Sequence, residues 1–212
     1  MVFHDRREAG ERLAALLKER GLQGDIVLAV PRGGLPVGRV VADALRVPLD
    51  IVVARKMGAP GNPELAIGAV ASDGSVWLNH SLIRQLGVDD AYVEEARRRE
   101  ADNARAKFDR YRKGLPDPDL QGKSVLIVDD GVATGATTIA CIRLAYSQGA
   151  ARVILAVPVG PPDTVHRLGA EADEVVAVET PEWFMAVGQF YERFGQVEDA
   201  EAMAYLHPER EG

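Results

Sequence analysis

The chain has 212 residues, with 25 lysines and arginines against 32 aspartates and glutamates, for a formal net charge of -7. That length supports a substantial core, best divided as one domain with an appendage, and the acidity argues against nucleic acid as the main partner. A single cysteine, Cys141, excludes an internal disulfide and any multi-cysteine zinc site.

The four histidines (His4, His80, His166 and His207) lack the spacing of paired metal ligands, so no metal held directly by the protein is expected. No apolar run approaches the ~20 residues that span a bilayer. The charged start MVFHDRREAG is unlike a secretory signal. A soluble, cytoplasmic protein with no membrane partner is expected.

Arg7 to Arg20 carries Leu13, Leu16 and Leu17 on one face and predicts an amphipathic helix. Asp25 to Val30 predicts a short buried strand stopped by Pro31, Leu35 to Leu45 a helix, and Asp50 to Ala54 a second strand. This succession suggests a parallel βαβ unit. From Ala66 to Leu78, two short segments flank Ser72-Asp73-Gly74-Ser75, a good hairpin turn. Asp89 or Asp90 then caps a long helix through Arg112, with Ala101, Ala104, Phe108 and Tyr111 at helical spacing. Its remaining face is charged, which fits a solvated surface better than a dimer contact.

Pro116, Pro118 and Gly122 mark a loop before Val125 to Val128, an apolar strand. A helix to about Ser147, a strand at Val153 to Val157, a loop over Pro158 to Pro162, a short helix and a strand at Glu174 to Val178 complete the alternation. The expected fold is α/β, a doubly wound five-stranded parallel sheet with helices on both faces. From Thr180 the aromatic-rich segment PEWFMAVGQFYERF changes the character of the chain and predicts a separate small appendage.

The segment VLIVDDGVATGATT, Val125 to Thr138, concentrates the chemistry. Loops at the carboxyl ends of parallel strands form the ligand crevice, and Asp129 and Asp130 stand at that end. Carboxylates there accept hydrogen bonds from hydroxyls such as those of a ribose diol. Ala133, Thr134, Gly135, Ala136 and Thr137 then open a helix whose amides and dipole make an anion site, with Thr134, Thr137 and Thr138 as added hydroxyl donors. The lysine of a Walker loop is missing. A diol acceptor beside a phosphate cradle describes a ribose 5-phosphate site.

VLIVDDGVATGAT resembles the phosphoribosyl pyrophosphate signature of type I phosphoribosyltransferases, and the surrounding α/β order is similar over most of the chain. The resemblance implies a core over residues 1–179, with an insertion at about 58–115, and a C-terminal hood over 180–212. It implies that Asp129 and Asp130 hold the ribose hydroxyls and that Ala133 to Thr137 bind the 5-phosphate. It further implies that Arg32, Gly33 and Gly34, after the first strand, bind pyrophosphate, often through a strained peptide bond. Lys56, beside Arg55 at the end of the second strand, sits where the family carries a basic residue for pyrophosphate. Gly58 to Glu64 falls at the family's mobile lid, where Asn62 and Glu64 are candidates to meet a substrate. Trp183 and Phe184 either stack on an acceptor ring or pack the appendage.

Two departures stand out. Gly131 replaces an apolar residue common in the family, and Ala133 replaces the aspartate that 6-oxopurine enzymes use to manage a proton on the base. The implied reaction is ribosyl transfer from phosphoribosyl pyrophosphate, bound with Mg²⁺, to an unidentified nitrogen nucleophile. The catalytic set would be Asp129, Asp130, Arg32 and Lys56. The alternatives are a non-catalytic regulator sensing the same donor and a plain nucleotide-binding domain. A homo-oligomer is compatible with either.

Overall fold

The structure, a computed structural model, describes residues 2–207. Asp5 accepts hydrogen bonds from the Arg7 and Glu8 amides and starts helix α1 (Arg6–Glu19). Strand β1 (Ile26–Ala29), helix α2 (Gly34–Leu45) and strand β2 (Leu49–Ile51) form the first crossover. Strands β3 (Ala54–Ala59), β4 (Asn62–Ala71) and β5 (Val76–Leu78) follow, then helices α3 (His80–Leu86) and α4 (Asp90–Arg112). The second half runs β6 (Ser124–Val128), α5 (Ala136–Ser147), β7 (Arg152–Val159), α6 (Pro162–Leu168) and β8 (Glu174–Glu179). A 3-10 turn (Val187–Phe190) and helix α7 (Asp199–Leu206) end it.

Five strands form one parallel sheet in the order β2-β1-β6-β7-β8, so β6 is central. Val125, Leu126, Ile127 and Val128 are fully buried, because both faces are covered and neither has a polar side. The two-residue repeat of the strand divides them. Val125 and Ile127 join Ile139, Ile142 and Leu144 of α5, while Leu126 and Val128 join Leu13 and Leu17 of α1 and Val37 and Val41 of α2. Each such side chain contributes roughly 2 kcal/mol by leaving water, and together they fix the strand whose end carries the acids.

The expected second strand is shorter, ending at Ile51. Arg55 and Lys56 do not end a strand of the parallel sheet; they lie in β3 of a second, antiparallel sheet of order β3-β4-β5. Gly58 to Glu64 is likewise not an open loop. It is the tip of a hairpin, with Ala59 paired to Asn62 and Gly61 at φ +72° in the turn. Glycine and proline suit a tight turn as well as a loop, so composition did not separate the two. The hairpin over 72–75 forms as expected, with Asp73 accepting from the Ser75 amide at 2.8 Å. Asp89 caps α4, accepting from Tyr92 N at 2.7 Å, and Ala104, Phe108 and Tyr111 are buried.

The expected loop over 158–162 narrows, because β7 runs to Val159 and α6 starts at Pro162. The tail is tied to the N-terminal segment: Phe3 N donates to Phe190 O at 2.7 Å and Glu192 N to Phe3 O at 2.8 Å. Phe3, Phe190 and Tyr191 bury their rings there. Positions 208–212 of the expected hood lie outside the described residues. Among the described residues, no helix is long and apolar enough to cross a membrane.

Candidate functional site

Central strand β6 delivers Asp129 and Asp130 to the carboxyl edge of the sheet. Asp129 Oδ1 accepts from the Asp130 amide at 2.8 Å. Asp130 Oδ2 accepts from Arg6 Nε at 2.8 Å, and its backbone oxygen accepts from the Tyr191 hydroxyl at 2.6 Å. Arg6 also donates to Gly195 O at 2.8 Å and lies 4.0 Å over the Phe194 ring. Burial pushes the Asp129 carboxyl well above the usual range, and the Asp130 charge adds to the effect. Burial raises Asp130 as well, against the pull of the Arg6 guanidinium. Burial, with the Asp130 charge behind it, also pushes the Tyr191 phenol up, so it donates as a neutral hydroxyl.

The turn after β1 lies flush on this pair. The Pro31–Arg32 peptide is cis. A Cβ on Gly33 would stand 2.0 Å from Asp130 Oδ2, and one on Gly34 would stand 2.8 Å from Val128 O and 3.0 Å from Asp129 Cα. Only glycine permits such an approach. Arg32 projects from the turn toward Asp199 of α7, at 3.6 Å. Lys107 of α4 donates to Pro31 O at 3.1 Å.

Gly135, at φ +73°, caps the start of α5. The preceding carbonyls are taken up by α6: Thr164 Oγ1 donates to Ala133 O at 2.8 Å, and Arg167 donates to Thr134 O. In a trans peptide the N–H points opposite to the C=O. The Thr134 and Gly135 amides therefore face away from α6, at the positive end of the α5 dipole, where an anion is favoured. Ala133 and Thr134 are exposed and Thr137 is half-buried, but Thr138 is buried and offers no hydroxyl to this cradle.

Asp129, Asp130, Arg32, Gly33, Gly34 and the loop over 133–137 thus gather at one edge. Lys56 and Glu64 do not join them directly: Lys56 Nζ donates to Glu64 Oε2 at 2.9 Å across the β3–β4 hairpin, and Arg55 pairs with Glu100 at 2.8 Å. Lys56 and Arg55 line one cavity with Tyr92 and Arg99, while Arg32, Gly33 and Asp130 line another with Arg6 and Phe194. Phe184 stacks on Phe190 with centroids 5.2 Å apart, whereas Trp183 is 88% exposed and packs no core. Gly131 is explained by close approach, since a Cβ there would meet Val187 Cγ1 at 2.6 Å. Val187 fills the space that a side chain at 131 would take.

Arg6, Lys107, Tyr191 and Asp199 were not among the expected residues. Arg6 alone left a signal: a cation in the first turn of a helix opposes the dipole and needs a partner elsewhere.

A five-stranded parallel sheet with paired acids at the end of its central strand, a glycine turn against them and a glycine-capped helix start after them defines a doubly wound α/β fold of the phosphoribosyltransferase type. The sequence profile of the phosphoribosyl transferase domain matches residues 4–194, and the chain belongs to that family. It is 43% identical over 205 residues to a Mycobacterium tuberculosis protein named "Putative phosphoribosyl transferase", covering 97% of this chain and 46% of that one. The chain thus spans about half the length of that curated relative. Over 73 residues, 34% of this chain and 23% of the other, it is 41% identical to a ribose-phosphate pyrophosphokinase of Sulfurisphaera tokodaii. The crystal structure of a Thermus thermophilus protein superposes with a TM-score of 0.83 at 45% identity, covering 97% of this chain and 98% of that one.

Proposed function

We propose that this protein transfers the 5-phosphoribosyl group of phosphoribosyl pyrophosphate to a nitrogen nucleophile and releases pyrophosphate. One observation carries the reading: Asp129 and Asp130 meet the Gly33–Gly34 turn at contact distance beside the amide cradle of 133–137. Family membership and the partial similarity to a protein named for ribose phosphate support it.

In this reading residues 1–179 hold the donor and the hood from 180 onward covers the acceptor. Asp129 and Asp130 accept hydrogen bonds from the ribose hydroxyls. The Thr134 and Gly135 amides, with the Thr137 hydroxyl, hold the 5-phosphate between Ala133 and Ala136. The Arg32-Gly33-Gly34 turn holds pyrophosphate. As the bond from the anomeric carbon to pyrophosphate oxygen breaks and the bond to nitrogen forms, the acids face a sugar gaining positive charge. Arg32 faces the charge that accumulates on the departing group. Lys56 is assigned to the same leaving group and reaches it by exchanging Glu64 for phosphate oxygens. Trp183, exposed on the hood, is assigned to the acceptor side.

Mg²⁺ fits this donor set, because a hard cation prefers oxygen ligands and the acid pair would be relieved by positive charge beside it. Bound with the donor, it would face Asp129 and Asp130 and neutralise pyrophosphate. The second reading, a donor-sensing regulator, draws on the loop over 131–138, which holds no titratable side chain to move a proton on an acceptor.

Pyrophosphate release measured across a panel of bases and amines with Mg²⁺ tests the enzyme. Release with one acceptor class supports it, and donor binding without turnover on any acceptor favours the regulator.

A further inference from the structure

Helix α4 carries more positive charge to the pyrophosphate turn than the turn itself supplies. Lys107 donates to Pro31 O, and Arg110 lies three residues along the helix, on the same face. Arg55, at the start of β3, lines a shared cavity with Asn103, Lys107 and Arg110. With Arg32 this makes four cations, answered by two carboxylates, Glu100 on Arg55 and Asp199 on Arg110 and Arg32. Asp199 holds the centre of the arrangement: it accepts from Arg110 Nη2 at 2.7 Å and from the Tyr111 hydroxyl, and it stands 3.6 Å from Arg32 Nη1. The Arg32 guanidinium that the donor reading gives to pyrophosphate is therefore already facing an anion.

Resting on that donor reading, we propose that Lys107 and Arg110 of α4, with Arg55, extend the anion site at the Pro31–Gly34 turn. We further propose that Asp199 of α7 is an internal counter-ion that a diphosphate displaces. An excess of two positive charges suits a diphosphate better than a single phosphate group, since each added anionic oxygen finds a cation. Lys107 fits the role, because burial and then the Arg32 charge weaken its hold on its proton, and the negative charge of a bound anion offsets both. Asp199 opens α7, an eight-residue helix that packs on α4 and α2, so displacing it loosens that contact. Diphosphate binding and α7 docking then compete.

Calorimetry with two probes, inorganic pyrophosphate with Mg²⁺ and ribose 5-phosphate, tests this on the full chain. Lys107→Met should weaken pyrophosphate about tenfold and leave ribose 5-phosphate unchanged, with Lys107→Arg restoring most of the loss. Asp199→Asn should strengthen pyrophosphate by about fivefold, again without effect on ribose 5-phosphate. Wild-type pyrophosphate binding in Lys107→Met, or weaker binding in Asp199→Asn, overturns the inference while the donor reading stands. If Lys107→Met loses both ligands, Arg110→Gln, on an exposed side chain, decides: a selective loss of pyrophosphate upholds the subsite and none overturns it. A wild-type protein that binds neither probe overturns the donor reading along with it.

Discussion

Arg6 Nε donates to Asp130 Oδ2 at 2.8 Å, joining the first turn of α1 to the end of β6 across 124 positions of sequence. Their side chains are 12% and 14% exposed, so the pair sits largely out of water. Removing one partner from such a pair strands the other charge. Arg6→Gln should lower unfolding stability at neutral pH by about 2 kcal/mol, below the ~3–5 kcal/mol of a fully buried pair because some water reaches both groups. Adding Asp130→Asn should recover part of the loss. Urea unfolding of the single and double variants checks this, and an unchanged midpoint in Arg6→Gln would contradict it.

Asp129 leads to a prediction of opposite sign. Burial keeps its folded-state pKa above the unfolded value. Between those two values the folded chain binds more protons than the unfolded one, so ligand-free stability falls as pH rises through that window. Asp129→Asn should therefore be more stable than wild type above the window and should match it below. The same variant should lose about 1.5–3 kcal/mol of donor affinity, since a charged acceptor is gone. Thermal unfolding of both proteins from acid to neutral pH isolates the effect, because Asp5, Asp173 and Asp199, whose shifts run the other way, are common to both. A variant less stable than wild type at neutral pH would count against the buried-acid account.

Two glycines separate packing from conformation. Gly33→Ala places a methyl 2.0 Å from Asp130 Oδ2 and should abolish binding of both ribose 5-phosphate and the full donor by displacing that carboxylate. Gly135→Val should also lose ribose 5-phosphate, by a different route. Its Cβ points at Leu168 and Thr164 of α6, 3.2 and 3.3 Å away, and not into the anion cradle. The loss comes from the positive φ, which costs a side chain about 1–2 kcal/mol and unseats the loop. Binding of ribose 5-phosphate by either variant at wild-type affinity would refute its part of the site.

The parts of this fold that the sequence discloses are those set by local pattern. β6 reads as a buried central strand because four apolar residues run without alternation. α4 reads as a helix because Asp89 caps it and Ala104, Phe108 and Tyr111 recur on one stripe. The acids and the threonine loop stand out by their order after an apolar strand, whereas the Gly33–Gly34 turn is singled out by the family resemblance. What stayed hidden depends on distant contacts. Nothing local to Lys107 distinguishes it from its charged neighbours on α4 until Pro31 O is brought to it. Tyr191 reads as one more aromatic residue of the tail until its hydroxyl meets Asp130 O. The helices α3 and α7, of 7 and 8 residues, are too short for a periodic pattern to declare itself.

Ala133 bears on the acceptor. A ring nitrogen that must lose a proton gains typically 10²–10⁴ in rate from a placed carboxylate, and the methyl of Ala133 supplies none. Transfer to hypoxanthine or guanine should be weak or absent even with the donor bound. Efficient formation of the hypoxanthine nucleotide by the wild-type protein would show that another group, with Glu64 the candidate on the β3–β4 hairpin, handles that proton.

In the proposed function, Asp129 and Asp130 hold the ribose of phosphoribosyl pyrophosphate. Calorimetric titration of that donor with Mg²⁺ into wild type and into Asp129→Asn and Asp130→Asn tests it most directly. Saturable binding by wild type and a loss of about tenfold or more in each variant are the expected results. Equal affinity in all three proteins, or no binding by wild type, would contradict it.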